Sequence, residues 1–151
     1  MAKGKLITSQ ESVTKAKDIM SSVLIVMSKD QTFRMAVELL TQKKLTVLPV
    51  VDPKGKLLGL LSEKDILAAC SSFDESPQNF LDEKIRYQTS VKTVSLETPL
   101  DEVGKLLQGA FRHIPVVDND NNLRGIITRR DLIRIIYLRL ELNGRIASDE
   151  V

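Results

Sequence analysis

The chain has 151 residues, with 22 Lys and Arg against 20 Asp and Glu, which gives a formal net charge of +2. Hydrophobic residues at 42% and charged residues at 28% are typical of a globular protein and exclude a disordered chain. A single Cys and a single His exclude an internal disulfide framework and most zinc or histidine-based chemistry, so we expect no metal site. The chain shows neither an apolar run of ~20 residues nor a secretion signal, which predicts a cytoplasmic protein without membrane insertion. Evenly spread charge argues against nucleic acid as its main partner.

A sequence repeat organises the chain. The segment Leu48–Asp52 (LPVVD) recurs as Ile114–Asp118 (IPVVD), at an offset of 114 − 48 = 66. Kept without a gap, this offset aligns residues 32–67 with 98–133, and 11 of these 36 positions are identical. Two copies are too few for a solenoid, so we expect two units packed about a pseudo-two-fold axis.

Both copies follow the order strand, helix, strand, strand, helix. The first helix of each copy has a polar N-cap, Thr32 in one copy and Thr98 in the other, where Pro99 would be the first helical residue. Apolar runs separated by turn residues then predict a hairpin in each copy, followed by a second helix that begins at Ser62 or Thr128. The predicted strands are 24–27, 46–51, 57–61, 91–94, 113–117 and 123–127. The fold class is therefore mixed α/β, with two β-α-β-β-α repeats.

These elements divide the chain into five parts. They are an N-terminal tail (1–16), a first repeat (17–72), a connector (73–84), a second repeat (85–143) and a C-terminal tail (144–151). The connector shows no helical or strand period, and we expect Phe73 and Phe80 to anchor it to the body of the protein.

The last helix, predicted over 129–143 with Gly144 as its stop, is apolar on more than one side. A helix packed on one core needs only one apolar stripe. The surplus predicts a second buried contact, either a homodimer or a cover that Leu138–Leu142 forms over the other repeat.

The junction between the second hairpin strand and the following helix carries the strongest motif. It reads Gly59–Asp65 (GLLSEKD) in the first repeat and Gly125–Asp131 (GIITRRD) in the second. A Ser or Thr three residues before an acid is typical of a capping box, which needs no ligand. The same geometry suits a nucleotide: the helix N-terminus offers N–H donors to phosphate, the carboxylate accepts from ribose hydroxyls, and the glycine admits a flat ring. Spacing alone leaves both interpretations open.

With Lys17–Met20 (KDIM), the two Pro-Val-Val-Asp strands and the two junctions, the chain resembles the tandem cystathionine-β-synthase (CBS) domain pair, or Bateman module, from about Lys17 to Leu140. The resemblance implies dimers and clefts between the repeats that bind adenosine nucleotides or related adenosyl compounds. It also implies which positions line those clefts. One cleft would contain Ser62, Asp65, Tyr87, Lys92, Arg112 and His113; the other would contain Thr128, Asp131, Ser21, Val26, Thr46 and Val47, with Arg129 and Arg130 beside it.

The two clefts are not expected to be equivalent. Lys92, Arg112 and His113 give the Asp65 cleft a cationic end, which favours a charged phosphate. The wall opposite Asp131 is neutral, which leaves Arg129 and Arg130 as the only nearby cations. We therefore expect stronger phosphate discrimination at Asp65 and adenosine-dominated binding at Asp131.

The resemblance implies a non-enzymatic sensor that needs no cofactor, takes AMP, ADP, ATP or a similar adenosyl compound as effector, and modulates a separate partner protein. The alternative is a dimeric interaction scaffold with vestigial clefts. Catalysis is not expected, because neither Ser62 nor Thr128 has a His at motif spacing.

Overall fold

The computed structural model describes residues 14–22, 24–71 and 77–149, of which 77, 78 and 145–149 are described by their backbone only. The elements within these ranges follow in the order α1 (Ala16–Ile19), β1 (Met27–Ser28), α2 (Phe33–Lys43), β2 (Val47–Val51), β3 (Leu57–Ser62), α3 (Glu63–Ser71), a 3₁₀ helix (Pro77–Asp82), β4 (Val94–Ser95), α4 (Leu100–Gln108), β5 (His113–Val117), β6 (Leu123–Thr128) and α5 (Arg129–Asp149).

The first compact unit contains the described residues of 24–91 together with 119–123. Its sheet has the order β1-β2-β3, with β1 parallel and β3 antiparallel to β2. The Asp52 carboxylate fixes the hairpin turn, because its Oδ1 accepts the N–H groups of Lys54 and Lys56, both at 2.9 Å. Helices α2 and α3 and the 3₁₀ helix complete a core formed by Met27, Phe33, Ala36, Leu40, Leu48, Val50, Leu61, Ala69, Phe80 and Ile85.

The second compact unit contains residues 14–22, 92–118 and the described residues of 124–149. Its sheet repeats the order of the first, β4-β5-β6, with β4 parallel to β5. Helices α1, α4 and α5 pack on it around Ala16, Val94, Leu100, Val103, Leu107, Ile114, Val116, Ile127 and Leu132. The predicted mixed α/β class and the repeated order of elements are thus confirmed, while the pseudo-two-fold packing stays a prediction.

Each unit includes the segment that leads into the other repeat. Residues 14–22 lie at the start of the first repeat in sequence but belong to the second unit, where Ala16 N donates to Thr98 O at 2.8 Å. Residues 83–88 lie at the start of the second repeat but belong to the first unit, where Phe33 N donates to Glu83 O at 3.0 Å. This exchange places a leading segment beside each Ser/Thr-x-x-Asp junction.

Two predicted boundaries of the first strands and helices need correction. The leading strands are Met27–Ser28 and Val94–Ser95, because only these residues pair with the central strands. Thr98 is not the N-cap of α4. Pro99 holds that position with an extended backbone, and the Thr98 hydroxyl instead accepts the N–H of Ser95 at 3.0 Å.

Two further corrections concern the predicted irregular regions. The connector contains the 3₁₀ helix, whose Phe80 is buried against Phe33, whereas Phe73 lies outside the described residues. Gly144 does not stop the last helix, since α5 continues to Asp149. A solvent-exposed helical glycine costs only ~1 kcal/mol relative to alanine, so it weakens a helix without ending it.

Candidate ligand-binding site

The Ser62–Asp65 junction of the first unit forms a capping box at the start of α3. Asp65 Oδ2 accepts the N–H of Ser62 at 2.8 Å and its hydroxyl at 3.0 Å, while Asp65 N donates back to Ser62 Oγ at 3.4 Å. The other carboxylate oxygen, Oδ1, lies 3.5 Å from the side-chain nitrogen of Gln88. The cap therefore occupies one oxygen of Asp65, and a neutral amide stands beside the other.

The Thr128–Asp131 junction of the second unit has the same geometry at the start of α5. Asp131 Oδ2 accepts the N–H of Thr128 at 2.9 Å and its hydroxyl at 3.0 Å, and Asp131 N donates to Thr128 Oγ1 at 3.3 Å. Here Oδ1 lies 3.8 Å from Arg134 Nη1, and the Asp131 side chain is 15% exposed. The capping interpretation of the motif is confirmed at both junctions, and each cap uses the same single oxygen.

Sequence reasoning missed the two side chains beside the Oδ1 atoms. Arg134 adds a third cation near Asp131, which corrects the expectation that Arg129 and Arg130 are the only ones. Its spacing of i+3 from Asp131 on a helix was a usable signal. Gln88 carried no local signal, because its approach to Asp65 depends on the exchange of leading segments.

The two junction glycines do not leave room for a ligand ring, contrary to the sequence interpretation. A β carbon on Gly59 would overlap the carbonyl oxygen of Gln88 and lie 2.7 Å from Tyr87 Cδ2. A β carbon on Gly125 would lie 2.5 Å from the Sδ atom of Met20. Both glycines instead admit the leading segments, which pair with β3 and β6 through backbone hydrogen bonds of 2.9–3.0 Å.

The leading segments follow a different offset from the hairpins. Ser21 pairs with Ile126 and Gln88 with Leu60, so equivalent positions differ by 88 − 21 = 67. Met27 and Val94, which pair with equivalent residues of β2 and β5, also differ by 67. The structural equivalents of Ser21 and Val26 are therefore Gln88 and Thr93.

The predicted site residues are distributed over both units. The first unit holds Ser62, Asp65, Tyr87, Val26, Thr46 and Val47; the second holds Ser21, Lys92, Arg112, His113, Thr128, Arg129, Arg130 and Asp131. Within single units, Tyr87 lies beside the Asp65 junction and Ser21 pairs with the strand that leads to Asp131. That the remaining predicted residues lie next to either junction stays a prediction.

Arg129 has a structural role in the second unit. Its Nε donates to Leu107 O at 2.7 Å and its Nη2 to Gly109 O at 2.8 Å, which satisfies carbonyl groups at the end of α4. Arg130 is exposed. Arg129 is therefore a weaker candidate for a phosphate contact than Arg130.

The described residues contain neither a metal site nor a membrane-spanning helix. No group of three or more His, Cys, Asp or Glu side chains in this part of the chain is placed to hold a metal ion. No described helix is both long enough and apolar enough to cross a membrane.

Duplicated β-α-β-β-α units with a Gly-x-x-Ser/Thr-x-x-Asp junction in each define the class of protein. A sequence model of the CBS domain matches residues 16–72 and again residues 84–138, so the chain belongs to the CBS domain family and carries two copies of the domain. The resemblance seen in the sequence is confirmed.

Several proteins of known name resemble this chain. The glycine betaine/carnitine/choline transport ATP-binding protein OpuCA of Bacillus subtilis is 29% identical over 138 residues, which is 91% of this chain but only 34% of that protein. The structure of CBSX2 in complex with AMP, a CBS-pair protein from Arabidopsis thaliana, is 32% identical with a TM-score of 0.72 and covers 84% of this chain and 98% of that one. The CBS domain pair of protein MJ0100 in complex with 5′-methylthioadenosine and S-adenosyl-L-methionine is 26% identical with a TM-score of 0.70, covering 85% of this chain and 99% of that one.

Proposed function

We propose that this CBS pair is a non-enzymatic regulatory module that binds an adenosyl ligand at its two junction carboxylates and thereby alters a separate partner protein. The observation that carries the proposal is that the two oxygens of each carboxylate make different contacts. Oδ2 of Asp65 and of Asp131 completes the capping box, while Oδ1 makes one long contact within the described part of the chain, 3.5 Å to Gln88 or 3.8 Å to Arg134. Capping and ligand binding therefore use different oxygens and do not compete.

The class of ligand follows from the family and from this geometry. The named structures of CBS pairs contain AMP, or 5′-methylthioadenosine and S-adenosylmethionine, all of which share an adenosine moiety. A carboxylate oxygen held rigidly at a helix N-terminus is a suitable acceptor for a ribose hydroxyl. Phosphate oxygens, where the ligand has them, would be bound by Arg112 and His113 at the Asp65 site.

Regulation requires that the ligand prefer one state of the protein over another. The leading segments supply a connection, since Gln88 lies beside Asp65 Oδ1 and continues towards β4 of the second unit. A ribose hydroxyl that takes Oδ1 displaces the Gln88 amide and removes one of the contacts between residues 85–91 and this junction.

A homodimer belongs to the same proposal. Ile133, Tyr137 and Leu140 are spaced 4 and 3 residues apart on α5 and are 66%, 58% and 66% exposed. Such a stripe is the seam by which two helices pack. A second copy of this chain is the proposed occupant, because the three residues carry no charge and an apolar stripe can pack on the same stripe of another copy.

A melting scan with AMP, ADP, ATP, 5′-methylthioadenosine and S-adenosylmethionine, with GMP as a matched control, tests the proposal. A bound ligand at 100 times its dissociation constant stabilises the folded protein by ~2.7 kcal/mol. For a chain of this size that raises the melting temperature by roughly 5–10 °C. No shift with any adenosyl compound would favour the alternative of a scaffold with vestigial clefts.

A further inference from the structure

The second unit contains a groove between β4 and α4, with a cavity volume of about 490 Å³. Polar side chains from both elements and from the turn between them line it: Lys92, Thr93, Ser95, Thr98, Glu102 and Lys105. Asp131, Arg112 and His113 do not line this groove. It is therefore distinct from the junctions described above, although Lys92 was predicted to line the Asp65 cleft.

The first unit has no lysine at the positions that correspond to Lys92 and Lys105. Because Met27 and Val94 are equivalent in the two sheets, Lys92 corresponds to Ile25. The same offset of 67 relates the helix N-caps Thr32 and Pro99, so Glu38 is the counterpart of Lys105 and Met35 that of Glu102. Ile25 packs against the first core, whereas Met35 and Glu38 are exposed.

This difference between the repeats concerns a single surface. The two lysines of the groove are replaced by isoleucine and glutamate in the first repeat, and both lysines face one groove. Convergence of a few polar groups on a concave surface is typical of a small-molecule site.

The electrostatics of the groove favour an anion. The lining carries two lysines and one glutamate. Glu97, in the turn beside the groove, adds no unpaired negative charge, because Lys15 Nζ contacts its carboxylate at 2.6 Å and Lys17 Nζ at 3.0 Å. Hydrogen bonds from these two lysines lower the pKa of Glu97, so it stays ionised and paired at neutral pH.

The hydroxyl groups of Ser95 and Thr98 add hydrogen-bonding capacity to the positively charged groove. Ser95 N donates to Thr98 Oγ1 at 3.0 Å, and the Ser95 and Thr98 hydroxyl oxygens are also 3.0 Å apart. One of the two hydroxyl protons forms the Ser95–Thr98 hydrogen bond, so the pair has one proton left to donate outwards. Two ammonium groups and this hydroxyl donor match the oxygens of a tetrahedral dianion.

We propose that the β4–α4 groove binds a small phosphate-type dianion, either inorganic phosphate or a phosphate monoester. Lys92 and Lys105 supply the charge, and the Ser95–Thr98 hydroxyl pair supplies a hydrogen bond. Glu102 limits the affinity. This assigns Lys92 to the groove rather than to the adenosyl site.

An amide NMR titration of the full chain with inorganic phosphate, at constant ionic strength, tests the proposal, and glycerol phosphate in a second series distinguishes ester from free phosphate. We expect saturable shifts at Ser95, Thr98 and Lys105. Lys105→Ala weakens binding at least threefold, whereas Glu102→Gln strengthens it at least twofold. Lys43→Ala, an exposed lysine at the end of α2, is the matched control and leaves the affinity unchanged.

The proposal is overturned if the shifts do not saturate, if Lys105→Ala and Lys43→Ala behave alike, or if the shifts centre on Arg112 and His113. Its outcome is separate from that of the adenosyl site. The double variant Asp65→Asn, Asp131→Asn keeps phosphate binding in the groove even if neither junction carboxylate ever holds a nucleoside.

Discussion

The backbone of Gln88 lies so close to Gly59 that a β carbon on Gly59 would overlap the Gln88 carbonyl oxygen. Leu60 and Gln88 exchange two backbone hydrogen bonds of 3.0 Å across the same contact. The absence of a side chain at Gly59 thus permits the leading segment of the second repeat to pack in the first unit. In this position the side-chain amide of Gln88 lies beside Asp65.

Replacing Gly59 by alanine is expected to destabilise the protein more than the same change at Gly125. At Gly59 the added carbon meets fixed backbone, so the strand pair must separate, at a cost of about 2–3 kcal/mol. At Gly125 it meets the Sδ and Cγ atoms of Met20, a flexible side chain, so we expect about 1 kcal/mol. Urea denaturation of both variants checks the order, and equal losses would show that the Gln88 contact is not rigid. The double variant Gly125→Ala, Met20→Ala supplies the control, because it removes the two closest contacts, those to Sδ and Cγ, and leaves only the β carbon of residue 20 at 2.9 Å.

Arg129→Ala is expected to lower the free energy of unfolding by about 1 kcal/mol, because Leu107 O and Gly109 O lose a charged donor. Arg130→Ala, at the exposed neighbouring position, is the matched control and should change stability by less than about 0.5 kcal/mol. Thermal melting measures both. A loss of adenosyl affinity in Arg129→Ala at unchanged stability would contradict the structural role.

Leu140→Asp is expected to weaken the proposed dimer at least tenfold. Burying a leucine contributes roughly 1.5–3 kcal/mol, and the carboxylate opposes burial of the seam. Sedimentation velocity over a range of concentrations gives the dissociation constant. Glu141→Ala, one residue further along α5 and outside the seam, should leave it unchanged. A wild-type chain that sediments as a monomer at every concentration would contradict the dimer itself.

The two sites are expected to rank phosphorylated ligands differently. With Asp131→Asn in place, the intact Asp65 site should prefer ATP or AMP over adenosine, because Arg112 and His113 are predicted to lie at its cationic end. With Asp65→Asn in place, the Asp131 site should discriminate less. Fluorescence competition with adenosine, AMP and ATP gives the two rankings, and identical rankings would contradict the predicted asymmetry.

The sequence predicted what depends on short-range patterns. The hairpins and both capping boxes lie within residues 47–67 and 113–133, where the 66-residue offset holds and local turn and cap residues are decisive. The sequence did not predict the features that depend on contacts between residues far apart in the chain. The stretch from the helix N-cap to the following strand is one residue longer in the first repeat (Thr32 to Val47) than in the second (Pro99 to His113), so the ungapped alignment misplaces every equivalence before β2 and β5.

The roles of the junction glycines were missed for a related reason. A glycine in a strand indicates close approach, but the sequence does not say whether a ligand or the chain itself approaches. Met20, Tyr87 and Gln88 occupy that space, and only the exchange of the leading segments places them there.

Calorimetric titration of the wild-type chain, Asp65→Asn and Asp131→Asn with the adenosyl compound that most raises the melting temperature gives the most direct test. The asparagine oxygen can still accept the N–H of Ser62 or Thr128, so the cap and the fold persist, while the side-chain NH₂ replaces the oxygen proposed to accept from ribose. We predict that each variant melts within about 2 °C of the wild type and loses binding at one site by at least tenfold, equivalent to ~1.4 kcal/mol. Unchanged affinity and stoichiometry in both variants would show that the two carboxylates only cap their helices.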